Sequence, residues 1–298
     1  MNDVNELIGR CEHLIAMSDN MPSYRLLSDY FELVRKLSNR KRALKKNTTV
    51  QNLSAKMAAK LSAEGRTETA VKFYDLRKRS LLFAAHDDFD SYLIYLEWNR
   101  PPEKKFYQPR RKILRTVVHD LQELEDDKLD FLAVSMPPRV GKSTLGIFYV
   151  TWLMGRHPEL ANVMSGHSDK LTKGFYKEVL SILKNPDDYL WNDVFPNCSI
   201  AKVSAEDESI DINSDKRFPT LTCRSISGTL TGAVEVGRLL YVDDIIEDLE
   251  EALNVDRLEN KYNAYLNQLK DRKKDKSKEL HIGTVSYTHL RAHETRRH

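Results

Sequence analysis

Residues 131–155 read FLAVSMPPRVGKSTLGIFYVTWLMG, in which a polar loop separates two apolar runs. The first run, Phe131 to Ser135, has the length and composition of a buried parallel strand. The second, Lys142 to Met154, is apolar on most sides, as a buried helix would be. The pattern therefore predicts a strand, a tight loop and a helix in that order.

The loop between these runs has the residue types of a phosphate-binding loop. Gly141 permits the turn that aims backbone N–H groups at a phosphate, Lys142 reaches the β and γ phosphates, and the Ser143 hydroxyl ligates Mg²⁺. The common form G-x-x-x-x-G-K-[ST] places a glycine where this chain has Met136. The alternative is a Gly-Lys-Ser that only starts a helix, but the flanking strand and helix favour a nucleotide site. The residues predicted to contact Mg·ATP are Pro138, Arg139, Val140, Gly141, Lys142, Ser143 and Thr144.

Length and composition indicate a globular protein with one large domain and an accessory one. The 298 residues are 41% hydrophobic, which supports a sizeable core. No run approaches the roughly 18 apolar residues of a membrane span, and the N-terminus lacks the order of a signal peptide, so we expect a cytoplasmic protein. The three cysteines lack metal-binding spacing, and a net charge of +3 is too small to indicate nucleic-acid binding by itself.

The first third of the chain has a helical pattern with a basic cluster. Residues 1–98 are predicted to form a helical region, and residues 99–105, NRPPEKK, a linker. Residues 35–46, RKLSNRKRALKK, either form a patch for DNA or an acidic partner or are the solvated face of a helix, and charge runs favour the second interpretation. The apolar stripe of the region includes Leu26, Leu27, Tyr30, Phe31, Val34 and Leu37, and then Leu53, Met57 and Leu61.

A second chemical element is the run RLLYVDD at residues 238–244. An apolar strand that ends in acids can present one carboxylate to Mg²⁺ and another to an attacking water, and Asp243 and Asp244 fit these two roles. Strands and helices alternate after the loop, which predicts a parallel α/β sheet. Leu280 to Thr284 is one more predicted strand, which closes the sheet, and Thr284 would lie at its carboxyl end, where ligands bind in open α/β sheets.

Three further local expectations concern the region after the loop. Trp191 to Pro196 is predicted to form a turn, and Glu247 to Lys276 a long charged helix. His167 follows a predicted strand, and a loop or helix-cap role for the run His167-Ser168-Asp169 is favoured over a catalytic one.

Several of these segments together resemble the ATPase half of the large terminase subunit of tailed bacteriophages and prophages, the motor that packages DNA into the capsid. The resemblance spans about Phe106 to Thr284 and implies a P-loop NTPase domain of the RecA/ASCE type at residues 106–284. Terminases are similar in lacking the first glycine of the loop, and they often carry an arginine where Arg139 stands. The segments that carry the resemblance are FYQPRR, SMPPRVGKST, SGHSDKLTKGFY, TCRSISGTLTGA, LLYVDDIIED and IGT.

The resemblance implies a role for each matching residue of the nucleotide site. Lys142 and Ser143 would bind phosphate and Mg²⁺, Asp243 would bind the metal, and Arg139 would sense or stabilise the γ-phosphate. Gln108 would lie near the adenine; from its side chain alone, a surface glutamine is an equally good interpretation.

The resemblance also concerns catalysis and the coupling of hydrolysis to movement. The family's catalytic acid is a glutamate after the metal-binding aspartate, and this chain has Asp244 there, which leaves Glu247 as an alternative base. The Gly283-Thr284 pair would couple hydrolysis to DNA movement.

The family also implies partners and a location. These are double-stranded DNA, a small terminase subunit, a portal protein and a homo-oligomeric ring, in the cytoplasm of a bacterial host and without a membrane. Residues 285–298, VSYTHLRAHETRRH, depart from the family and are interpreted as a non-native tail, so no nuclease activity is expected. The alternatives are another P-loop translocase or helicase, and a nucleotide-binding interaction protein without turnover.

Overall fold

The chain divides into two compact units, Met1–Trp98 (unit 1) and Asn99–His298 (unit 2). The computed structural model describes residues 2–226, 234–246 and 249–284. Within these ranges, none of the helices combines the length and the apolar composition that a membrane span requires.

The described part of unit 1 is helical, as predicted. The apolar stripes face its core: Leu27 and Val34 are fully buried, and Leu53 and Leu61 are buried further along the chain. The Ser23 side chain caps the second helix by accepting a hydrogen bond from the backbone of the first turn. The helices are α1 (Asn2–Met17), α2 (Tyr24–Arg35), α3 (Arg40–Ala63), α4 (Thr67–Ala85) and α5 (Phe89–Leu96).

Unit 2 is an α/β structure built on a mostly parallel sheet, which confirms the predicted fold class at this level. Its described strands are ordered β1-β7-β6-β2-β5-β4-β3, with β3 and β4 antiparallel to their neighbours. The strands are β1 (Phe131–Met136), β2 (Asn162–Gly166), β3 (Ile200–Ser204), β4 (Ser209–Ile212), β5 (Leu221–Ser225), β6 (Leu239–Asp243) and β7 (Lys278–Thr284). The helices are α6 (Tyr107–Glu125), α7 (Lys142–Arg156), α8 (Asp169–Lys184), α9 (Trp191–Val194), α10 (Leu249–Leu253) and α11 (Val255–Ala264).

The positions of two strands differ from the sequence-based expectation. Strand β1 is parallel, as predicted, but it is not buried: it lies at one edge of the described sheet, and Phe131 is 51% exposed. Strand β7 does not close the sheet but lies between β1 and β6. Apolar character alone cannot distinguish an edge strand from a central one, because one covered face is enough to select apolar residues.

Two local predictions are wrong, each for a visible reason. The long helix predicted from 247 to 276 is interrupted in its described part, because Asn254 caps α11, and α11 is followed by a π-helical turn, Tyr265–Leu269, and a short 3-10 turn, Lys270–Arg272. The turn predicted at 191–196 contains a short helix whose buried Trp191 donates a hydrogen bond to the Thr151 carbonyl at 2.9 Å.

Ion pairs formed by two buried basic residues, Arg238 and Lys278, lie at the amino ends of β6 and β7. Arg238, just before β6, donates two hydrogen bonds to the Glu125 carboxylate at the end of α6. Burial alone would raise the pKa of Glu125, but His157, Arg156 and Arg238 together hold it below its ordinary value. Lys278, at the start of β7, pairs with Asp130 at 2.8 Å.

Strand β6 packs against α7 at a glycine. A Cβ atom at Gly146 would lie 2.4 Å from the Tyr241 hydroxyl oxygen, so the close contact between strand and helix requires glycine there. We expect Gly146→Ala to destabilise the protein by about 1–3 kcal/mol, because both partners are buried and overpacking forces a shift of the ring. Thermal unfolding measures this effect.

Gly174, in the exposed surface of α8, is the matched control. A Cβ atom there meets no heavy atom within 4 Å, and Gly174→Ala is expected to stabilise the protein by up to about 1 kcal/mol through helix propensity. Equal unfolding temperatures for the two variants would contradict the close packing of Tyr241 on α7.

Candidate functional site

The predicted site residues converge at the carboxyl ends of β1, β7 and β6. The loop of residues 137–141 follows β1, Asp243 ends β6, and Thr284 ends β7 between them. The register aligns Met136 with Thr284 and Ile282 with Asp243, so the three strands end at nearly the same level. Two segments about one hundred residues apart in sequence thereby meet at one edge of the sheet.

The backbone of loop 137–141 requires a glycine before α7. Gly141 has a φ of 91° in the left-handed region, and a Cβ there would lie 2.2 Å from the Phe106 ring. Both the conformation and the space therefore exclude a side chain. Arg139 is also left-handed, with a φ of 66°, and its side chain is exposed. Non-glycine residues rarely adopt this left-handed backbone conformation, and those that do are concentrated at functional sites.

Lys142 and Asp244 form an ion pair across the site. The Lys142 Nζ donates to both carboxylate oxygens of Asp244, each at 2.9 Å. The lysine is buried, with a residue exposure of 8%, whereas the Asp244 side chain is 31% exposed. The lysine that begins α7 and the acid that directly follows β6 are thus in direct contact.

Asp243 is a buried carboxylate that meets the geometry of a hydrogen bond with none of the described residues. The residue is 1% exposed, and both of its carboxylate oxygens lack a partner among the described residues. Burial raises the pKa of Asp243, and the Asp244 carboxylate adds to the rise. The nearby Ser143 hydroxyl, Lys142 and the Tyr241 hydroxyl act to lower this pKa but do not reverse the rise. A buried, charged carboxylate without hydrogen bonds destabilises the folded protein unless it binds a proton or a cation.

The residues present fit a bound magnesium ion. Mg²⁺ prefers oxygen ligands and is commonly held by one or two protein groups together with substrate phosphates. Asp243 offers two oxygens without partners, and the Ser143 hydroxyl is close enough to affect its titration. The donor set therefore matches the predicted metal ligands in chemistry.

Two hydrogen bonds hold the backbone of Asp244 in an uncommon conformation. Its φ is 40°, its N–H donates to the Ile282 carbonyl of β7 at 2.9 Å, and its carbonyl accepts from His167 Nδ1 at 2.8 Å. His167 follows β2, so neighbouring strands on both sides fix this turn. The expectation that His167 serves a loop agrees with this contact, although it does not cap α8.

The remaining predicted residues vary in how far the structure places them. Gln108 is exposed in the first turn of α6, the helix that begins beside loop 137–141 because Phe106 packs on Gly141. Pro138 is exposed, and Val140 and Thr144 are half-buried. Glu247 lies outside the described residues.

Sequence reasoning assigned no role in the site to Phe106 or Tyr241, and it gave His167 only a loop or helix-cap role. Phe106 packs on Gly141 and lies edge-to-face on Phe148, with ring centroids 5.5 Å apart. Tyr241 is fully buried beneath Asp243, and His167 binds the Asp244 backbone. Phe106 is the first residue of FYQPRR and directly precedes α6, so its place in the sequence could have indicated a role at the site. The contacts of Tyr241 and His167 could not be predicted in this way, because they depend on the order of the strands.

Comparison with family models and with curated proteins identified no relative of this chain. No family model matches the chain, and no curated protein matches it. What this chain does is therefore inferred from its own residues.

Proposed function

We propose that this chain is an ATP-hydrolysing motor that moves double-stranded DNA, of the kind found in the large terminase subunit of tailed phages. The observation that carries the proposal is the buried carboxylate of Asp243, whose oxygens make no hydrogen bond with a described residue, beside the Lys142–Asp244 pair. Lys142 itself begins a helix that follows a strand and a glycine-dependent loop. This combination suits a magnesium-bound triphosphate, which supplies both the cation that Asp243 needs and the anion that Lys142 can bind.

Each residue has a definite task in this proposal. The backbone of loop 137–141 and Lys142 bind the phosphates, Ser143 and Asp243 hold Mg²⁺, and Arg139 stabilises charge on the γ-phosphate. A bound Mg²⁺ neutralises negative charge on the phosphate oxygens.

Hydrolysis requires that Asp244 become available. A water molecule attacks the γ-phosphorus, the bond to the bridging oxygen of ADP breaks, and a carboxylate takes the proton of the water. Asp244 is the first candidate for this base, with Glu247 as the alternative. Because Lys142 holds both Asp244 oxygens, a bound phosphate that attracts Lys142 would release the acid only when substrate is present.

The motor interpretation also uses the position of β7. Its end, Gly283-Thr284, lies between loop 137–141 and the acids at the end of β6. Hydrolysis of the γ-phosphate would therefore act directly on Gly283-Thr284. Double-stranded DNA is the proposed substrate. A small subunit, a portal protein and a ring of identical chains are the proposed partners, in a bacterial cytoplasm.

The test is phosphate release by the full chain. We expect ATP hydrolysis that depends on Mg²⁺, stops on addition of EDTA and is stimulated by double-stranded DNA. Asp244→Asn is expected to lower kcat by about 100-fold or more while ATP binding persists, since general bases commonly contribute 10²–10⁴-fold. Full turnover by Asp244→Asn would exclude Asp244 as the base and leave Glu247 as the candidate.

A second function, nucleotide binding without turnover, is favoured by one observation. The Lys142–Asp244 pair is bidentate and largely buried on the lysine side, so it competes with phosphate for the lysine. Tight Mg·ATP binding with no phosphate release, with or without DNA, would support this function over the motor.

A further inference from the structure

Helix α3 of unit 1 carries an unusual distribution of charge. Its 24 residues include seven lysines and arginines and no aspartate or glutamate. Three of the basic residues, Arg40, Lys41 and Arg42, lie in the first turn, where the helix dipole disfavours cations. Helix stability therefore does not explain this composition.

The structure separates the basic residues of α3 by face. The core side is apolar and includes Val50, Met57 and Leu61. The opposite side, which we call the α3 cationic face, is exposed to solvent. It consists of Lys41, Lys45, Thr48, Asn52 and Lys56.

The lysines of the α3 cationic face are not used inside the protein. Ion pairs with Asp87 and Glu12 engage the neighbouring Arg40 and Lys46. Lys41, Lys45 and Lys56, by contrast, form no ion pair with any described residue. Acidic residues of unit 1 therefore pair with only some of the basic residues in the cluster.

We propose that the α3 cationic face binds the phosphate backbone of double-stranded DNA. From Lys41 to Lys56 the helix extends about 22 Å, at about 1.5 Å per residue. A duplex presents a phosphate charge about every 1.7 Å along its axis, so the face meets a continuous row of anions. Hydroxyl and amide side chains, such as those of Thr48 and Asn52, also bind phosphates.

The composition of α3 selects a duplex over a single strand. Single-stranded nucleic acids are bound largely by aromatic side chains on which their bases stack. Helix α3 contains no aromatic residue. Contacts to the backbone alone do not read sequence, so the binding should be independent of DNA sequence and strongly dependent on salt.

The test compares two triple variants of the full chain. K41Q/K45Q/K56Q removes three charges from the α3 cationic face with little change in helix propensity. K170Q/K173Q/K177Q removes three exposed lysines from α8 in unit 2 and serves as the matched control. Affinity for a short fluorescein-labelled duplex is measured by anisotropy over a salt series, without nucleotide, and circular dichroism checks that both variants fold.

We expect the α3 variant to bind at least about tenfold more weakly near 0.1 M salt and to lower the slope of log K against log salt by about 2.7, or 0.9 for each lost phosphate contact. The control should retain the affinity and slope of the wild type. An α3 variant that binds like wild type, or a control that loses as much, would overturn the proposal. So would competition by polyglutamate as strong as that by unlabelled duplex, which would assign the face to an acidic protein.

This inference goes beyond the nucleotide site and does not rest on it. The α3 variant is expected to hydrolyse ATP in the absence of DNA at the rate of the wild type. Loss of duplex binding with unchanged basal turnover, or duplex binding by a chain without turnover, separates the two proposals.

Discussion

Lys142→Ala is expected to lower Mg²⁺-dependent ATP hydrolysis by about 100-fold to 1,000-fold while the protein remains folded. Lys142 is a buried cation at the start of α7, next to the proposed phosphate site. Loss of a single preorganised group that stabilises transition-state charge commonly lowers the rate by this amount. Asp244 keeps contact with water after the change, so its charge does not become trapped in the interior. The measurement is steady-state phosphate release with circular dichroism on the same sample.

Lys170→Ala is a suitable control for this experiment. Lys170 is an exposed lysine near the start of α8, and its loss should leave turnover within about twofold of the wild type. Unchanged turnover in Lys142→Ala would remove the assignment of residues 137–142 as a phosphate loop. A fall in turnover accompanied by loss of helical signal would instead show that the Lys142–Asp244 pair is required for folding.

Asp243→Asn is expected to have opposite effects on stability and activity. Without nucleotide, the change replaces a buried carboxylate that makes no hydrogen bond with any residue in the described part of the chain. Removal of this buried charge is expected to increase the free energy of unfolding by about 1–3 kcal/mol at neutral pH. This corresponds to a few degrees in Tm. ATP hydrolysis should be lost, because a neutral amide is a poorer Mg²⁺ ligand than a carboxylate.

The stabilisation should depend on pH with a definite sign. The pKa of Asp243 is raised in the folded protein above the ordinary value of 3.8, mainly by burial. Above that ordinary value the unfolded chain loses this proton first, so the wild type loses stability as pH rises towards the folded pKa. The advantage of Asp243→Asn should therefore be small at low pH and complete once the pH exceeds the folded pKa.

Addition of Mg·ATP tests whether Asp243 is a metal ligand or only a buried charge. Addition of Mg·ATP should raise the Tm of the wild type and reduce the advantage of the asparagine variant, since a cation relieves the same buried charge. Asp187→Asn, in an exposed loop, should change stability by less than about 0.5 kcal/mol and serves as the control. A destabilised Asp243→Asn at neutral pH would contradict the description of Asp243 as unsatisfied.

Local sequence determined much of the fold and the identity of the chemical groups. The helical stripe of Leu27, Tyr30 and Val34, the strand before loop 137–141 and the strand before Asp243 each follow from a periodicity or an apolar run within one segment. Such patterns report which side of an element is covered, because burial of apolar surface is the dominant driving force. They also identify the loop, the lysine and the two acids as candidates before any contact is known.

Only the tertiary structure decided how these groups meet. The edge position of β1, the insertion of β7 beside it and the hydrogen bond from His167 to Asp244 depend on the order of strands, which no single segment encodes. The same holds for charge: Lys41 and Lys46 belong to one basic run, yet only Lys46 folds against an acid, Glu12. Residue chemistry is a property of the sequence, whereas partnership, burial and hence the state of Asp243 depend on distances between segments far apart in the chain.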